Sequence, residues 1–169
     1  SMTSRLLVDK IEGKTTANSV AMPSGSVVQT SFHSFSTETV LNSDSDADIG
    51  DSTVTFTPKF ASSLLILSCS VHVHINRGDS NNGGTYNFVV DGVNISHASD
   101  DYEHYINMNS SNTNNYTRSH KEVSISASNT NTKTIKLTGR VHATGSSGVF
   151  RINAYGNFTS SIKIQEIAQ

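Results

Sequence analysis

LLILSCSVHVHI, residues 64–75, decides the fold. Leu65, Leu67, Cys69, Val71, Val73 and Ile75 fall on one side of an extended chain; Ser68, Ser70, His72 and His74 fall on the other. A strict period of two over so many residues predicts one long strand with a buried face and a polar face. Upstream, TVTFT (53–57) reads as a short strand ended by Pro58, and SVVQTSFHSF (26–35) as the first strand. Downstream, apolar residues alternate at Tyr86, Phe88 and Val90, at Val123, Ile125 and Ala127, and at Ile135, Leu137 and Val141. They alternate again at Phe150, Ile152 and Ala154, and SSIKIQEIA (160–168) closes the chain.

Asp91-Gly92 is a two-residue hairpin signal, while SNTNTK (128–133) and ATGSSG (143–148) read as turns. No helical periodicity of useful length interrupts the series. The expected fold is therefore all-β, an antiparallel β-sandwich or jelly roll of eight or nine strands. Residues 1–25 lack strand periodicity, and Pro23 and Gly25 break the chain before the first strand. They are expected to form an extended arm for attachment or trimerisation, ahead of a jelly-roll knob domain at 26–169. Ser1 before Met2 reads as a cloning remnant.

Hydrophobic residues make up only 34% of the 169, whereas 62 are Ser, Thr or Asn. Burial must outweigh roughly 1–2 kcal/mol of backbone entropy per residue, so so polar a chain is expected to gain stability by oligomerising. The net charge is −2 with no basic block, which argues against nucleic-acid binding. No apolar run is long enough to insert in a membrane, and SMTSRLLVDKIEGK (1–14) carries no signal-peptide core. Cys69 is the single cysteine, which excludes an intrachain disulfide framework; its phase with Leu67 and Val71 predicts a buried core residue.

His72 and His74 point the same way from their strand. Two imidazoles alone are an incomplete metal site; three chains around a threefold axis would supply six, a set for one octahedral transition metal. The alternative is a His pair lining a polar sheet face and binding nothing, and no cofactor is then required. Asp44, Asp46 and Asp48 begin like a calcium loop, but Ile49 stands where the loop needs Gly and Thr55 where it needs Glu. Asp100, Asp101 and Glu103 sit too close in sequence for their spacing to indicate a glycosidase pair. No nucleophile elbow or phosphate loop is present in the sequence. The expectation is that the chain is not an enzyme. Residues 99–118, SDDYEHYINMNSSNTNNYTR, are expected to be a long polar loop. Tyr102, Tyr105, Asn107, Asn109 and Tyr116 within it combine rigid ring faces with adaptable amides, a mix suited to a receptor, above all a surface glycan.

The stretch LLVDKIEGKTTANSVAMPSGSVVQ (6–29), with its VDKI (Val8–Ile11) and MPSG (Met22–Gly25) steps, resembles the start of structural proteins of marine and cyanobacterial bacteriophages. VTFTPKFASSLLILSCSV (54–71) and SSIKIQEIA resemble strands of their tail-fibre-like domains. The resemblance implies a homotrimeric jelly-roll knob, similar to those of complement C1q and tumour necrosis factor, in a non-enzymatic virion protein. It implies manufacture in the host cytoplasm, contact with other virion proteins through the arm, and contact with a host surface glycan or protein. It also implies metal ions threaded on His-x-His pairs, here His72 and His74. The chain departs from that pattern in lacking a long shaft, which leaves tail fibre, spike and capsid decoration open. A free carbohydrate-binding module is the competing expectation, and a glycan-degrading enzyme a third.

Overall fold

The computed structural model describes residues 22–77, 82–96, 104–106, 113–143 and 149–169. The first segment enters through a turn at Pro23–Gly25 (Gly25 φ 87°) and is stitched at once to the chain's end. Gly25 N–H donates to the Ala168 carbonyl (2.8 Å), and Ala168 N–H to Ser26 (2.9 Å). The pairing with the chain's end thus begins at Gly25. Residues 1–21, most of the expected arm, lie outside the described residues.

The strands are β1 (Val27–Phe35), β2 (Thr39–Leu41), β3 (Ala47–Asp48), β4 (Val54–Phe56), β5 (Leu64–Arg77) and β6 (Asn82–Val90). They continue with β7 (Val93–Asn94), β8 (His104–Ile106), β9 (Thr113–Ser126), β10 (Lys133–Ala143), β11 (Val149–Ile152) and β12 (Ser160–Ile167). All pairings are antiparallel. In one sheet β5 is central: β9 runs along its whole length on one edge, while β12 and β11 share the other, backed by β1 and β2. In the second sheet β10 pairs β6 on one edge and β4 and β3 on the other; β7 and β8 flank β6.

Several short strands are pieces of one longer strand. Joining β1 with β2, β3 with β4, β7 with β8 and β11 with β12 leaves eight strands, in sheet orders 1-8-3-6 and 2-7-4-5. That is the order of a jelly roll, two interlocked Greek keys closing a two-layer sandwich. The layers meet over the alternating positions read from the sequence. Leu65, Leu67, Val71, Val73, Phe88, Ile135, Leu137, Phe150, Ile152 and Ile162 are fully buried. Cys69 is buried among them, in phase with Leu67 and Val71. Gly84 is required where β6 crosses under Phe150, since a Cβ there would sit 2.4 Å from the ring. Tyr86 ties the layers together through its hydroxyl, 2.6 Å from Ser119 Oγ.

Asp91 and Gly92 both adopt positive φ (49° and 84°), the type I′ geometry the dipeptide predicts. The expected loop 99–118 is shorter than the sequence suggested, because β8 and β9 occupy part of it. β9 escapes the alternation test because its first half is polar on both faces; its register is set by fourteen consecutive partners on β5.

Candidate functional site

The outward face of the β5 sheet divides into two halves. Toward the start of β5, Ser68 and Ser70 floor an open hollow of about 460 Å³ with Ser161, Lys163, His120 and Glu122 around it. Phe32 stands in this polar surface 66% exposed. It faces outward because a bulge between Val27 and Gln29 sets the phase of β1 against β12.

Toward the end of β5 the face is covered by the chain's own aromatic rings. Register places Tyr116 (β9), His74 (β5) and Arg151 (β11) in one row across three strands, with Arg118 beside His72 in the next. After β11 the chain turns back through a 3-10 turn, Ala154–Gly156, and lays Tyr155 and Phe158 over this end. Phe158 stacks on His72 (centroids 3.5 Å apart, 4° between planes), and Tyr116 stacks on His74 (4.2 Å, 11°). Tyr155 lies 5.8 Å from His74, with the Arg151 guanidinium 5.6 Å from its ring. The histidines are buried, whereas Tyr116 is 48% and Tyr155 56% exposed.

The hydrogen bonds fix the protonation of His74. Asn114 Oδ1 lies 2.9 Å from Nε2 and also accepts from Asn76 Nδ2, so Nε2 carries the hydrogen. Nδ1 then accepts from Arg151 Nη1 at 3.3 Å. Burial pushes the His74 pKa down and Arg151 adds to it, outweighing the Asn114 bond and Glu38. Burial likewise lowers His72, aided by Arg118 and His74. His72 Nδ1 lies against its own main chain and has no hydrogen-bond partner. Burial, then the neighbouring Tyr155 hydroxyl, push the Tyr116 phenol up. Arg118 donates to Ser70 Oγ (3.2 Å) and the Thr159 carbonyl (3.1 Å), and Arg151 Nε lies 3.6 Å from Glu38 Oε1.

The turn that delivers Tyr155 is locally costly. Asn153 (φ 51°) and Tyr155 (φ 59°) are both left-handed without being glycine. Asn153 is held there by burial: its Oδ1 accepts from Ser160 Oγ (2.6 Å), and its Nδ2 donates to the Phe35 carbonyl (3.2 Å). Tyr155 N–H donates to Glu38 Oε1 (2.9 Å).

Of the residues singled out from sequence, His72 and His74 do share a face, beneath rings of the same chain rather than on a bare polar surface. Tyr116 joins them from a strand. Tyr105 lies in β8 opposite Gly83. Tyr102, Asn107 and Asn109 lie outside the described residues. Asp46 and Asp48 turn to Arg140 (3.2 Å) and Lys136 (2.5 Å) and not to a common centre. Among the described residues no group of three or more His, Cys, Asp or Glu side chains stands close enough to hold a metal ion. Among them, too, no helix is long and apolar enough to cross a membrane. Sequence reasoning missed Tyr155, Phe158, Arg118 and Arg151. Only the register of β9 and β11 and the turn after β11 bring them together.

The fold and this end face define an all-β sandwich of jelly-roll order bearing an aromatic cluster. No family model matches the chain, and no curated protein matches it. Among solved structures it is similar to dimeric latent PorU from Porphyromonas gingivalis, with 11% identity and a TM-score of 0.40. That likeness covers 94% of this chain and 14% of the PorU chain, so the chain spans about one seventh of its length.

Proposed function

We propose that this chain is a non-enzymatic knob of a bacteriophage particle, assembled as a homotrimer and contacting the host surface. The observation that carries the reading is the jelly-roll strand order joined to a first strand that follows the MPSG step, the combination the phage-fibre resemblance implies. Assembly is supported by the open half of the β5 sheet. Phe32 is exposed there beside a polar hollow, and Lys163 and Glu122 lie on its opposite sides, so neighbouring copies can pair unlike charges while burying the ring. Residues 1–25 serve attachment to other virion proteins. Host contact is assigned to the Tyr- and Asn-rich segment around 99–118, with a surface glycan as the favoured receptor.

A carbohydrate-binding module outside any virion is the second reading, favoured by the exposed tyrosines at the end of β5. A metal held by His72 and His74 of three chains would have to displace Asn114 from His74 Nε2 or Arg151 from its Nδ1, so His74 serves here as a packing and hydrogen-bonding partner. Light scattering tests the assembly: a mass of about three 18.1 kDa chains is expected, and a single-chain mass at micromolar concentration overturns it. Binding of fluorescently labelled protein to bacterial cells tests the host contact.

A further inference from the structure

We infer that Tyr116 and Tyr155 form a saccharide-binding platform for a pyranose bearing a carboxylate, with Arg118 as the anion partner. This rests on the surface-glycan reading above and moves its centre from the loop to the end of the β5 sheet. Both phenol rings are about half exposed although each packs against a buried neighbour, so the chain supplies two firmly backed ring faces to solvent. Rigid rings of this kind take the apolar C–H face of a sugar with little loss of side-chain freedom.

Tyr155 is held in a left-handed conformation that a tyrosine resists, and Asn153 two residues before it in the same turn is left-handed too. Two such costs at one place point to a site whose form is set by binding rather than by stability. The polar groups around the rings are planar: the Arg118 and Arg151 guanidiniums, the Glu38 carboxylate and the Asn114 amide. Arg151 is engaged with Glu38 and His74, which leaves Arg118 as the surplus positive charge. Arg118 uses two nitrogens on Ser70 and Thr159, while a guanidinium offers five N–H donors in a fork that matches a carboxylate. It stands two residues from Tyr116 on the same strand face, about 7 Å along the chain. That spacing suits a pyranose on the ring and its carboxylate on the guanidinium.

The test is saturation-transfer NMR on the full chain with two matched probes, glucose and glucuronic acid. Transfer to glucuronic acid is expected, with glucose at least about threefold weaker. Tyr155→Gly relaxes the backbone while deleting the ring; it should cut affinity about tenfold with Tm unchanged or raised. Tyr155→Asn, which also tolerates positive φ, should behave alike and guards against a peculiarity of the glycine variant. Arg118→Gln should remove the preference for the acid. No transfer to either sugar, or wild-type affinity in both Tyr155 variants, overturns the platform. Equal binding of the two sugars by the wild type overturns the role of Arg118. A trimeric mass without sugar transfer sinks this site and leaves the knob standing. Transfer to a protein that is a single chain and attaches to no cell sinks the knob and leaves the site.

Discussion

Glu166 is fully buried on the inward phase of β12, in line with Ser160, Ile162 and Ile164. Its carboxylate accepts the Lys59 N–H at 2.9 Å on both oxygens, the Phe60 N–H at 2.9 Å and Gln29 Nε2 at 2.6 Å. It therefore closes the turn that leads from Pro58 into β5, and Glu166→Ala removes that closure. Gln29 has a second acceptor in the Thr57 carbonyl (2.8 Å) and loses little. The two main-chain amides have none, and each abandoned donor costs about 1–3 kcal/mol, reduced where water reaches the turn. The expected loss is about 2–4 kcal/mol at neutral pH, or roughly 5–15 °C in Tm for a domain of this size. Glu166→Gln keeps the shape and one acceptor oxygen but turns a second amide toward Gln29, so about half that loss is expected.

The pH dependence has a definite sign. Burial pushes the Glu166 pKa up, but the Lys59 and Phe60 amides and Gln29 outweigh it and hold it below its ordinary value. The unfolded chain thus binds more protons between the folded pKa and about 4.3. The stabilisation is present above that upper value and fades as pH falls through the folded one. Urea unfolding at pH 7 and pH 3 measures it: the gap between wild type and Glu166→Gln should narrow at the lower pH with m unchanged. A Glu166→Ala loss under about 0.5 kcal/mol at pH 7, or a gap that widens on acidification, refutes the reasoning.

Three other outcomes are expected. Gly84→Ala drives a methyl into the Phe150 ring and should cost about 1–3 kcal/mol by thermal melting. Cys69→Ala opens a small void beside Leu67 and Val71 and should cost about 1 kcal/mol, and a thiol reagent should label native Cys69 slowly. His72 and His74 are kept neutral by burial among Arg118, Arg151, Glu38, Tyr116 and Tyr155, so stability should be complete above about pH 6.5 and fall as pH drops toward their lowered folded pKa values. His72→Phe, which stacks on Phe158 and removes the partnerless nitrogen, should flatten that slope and raise stability by about 1 kcal/mol at pH 7; a steeper slope in the variant counts against the assignment.

What was legible in the sequence follows from how burial writes itself into a strand. β5, β10 and β12 each bury one face, so their apolar residues recur every second position and their inward sets could be read directly. β9 is a sheet edge whose first half has polar residues on both sides, and an edge pairs through its backbone, which leaves no periodic mark. Its first half therefore reads as loop in the sequence, and Tyr116 with it. Glu166 carried a usable signal, since it sits in phase with Ile162 and Ile164. A carboxylate at an inward position implies waiting donors, though not which ones. Asn153 and Tyr155 carried none: their φ angles are set by Phe35, Glu38 and Ser160, partners far away in the chain or across a turn.

The same contrast separates the two halves of the outward β5 face. Ser68 and Ser70 have only short side chains to offer and, among the described residues, no covering segment, so that half is open there and suits a flat partner. His72 and His74, on the same face of the same strand, are reached by the turn after β11 and become the floor of an aromatic stack. A strand register alone would have made the four residues equivalent. What distinguishes them is the route of residues 153–159, which the buried Asn153 anchors. Loosening that anchor should therefore disturb the histidine end and spare the serine end. In Asn153→Gly the left-handed φ is retained while the side-chain bonds to Phe35 and Ser160 are lost, and those bonds are worth about 1–3 kcal/mol when buried. Amide exchange in β11 and around Tyr155 should rise accordingly, whereas β12 opposite Ser68 should keep its protection.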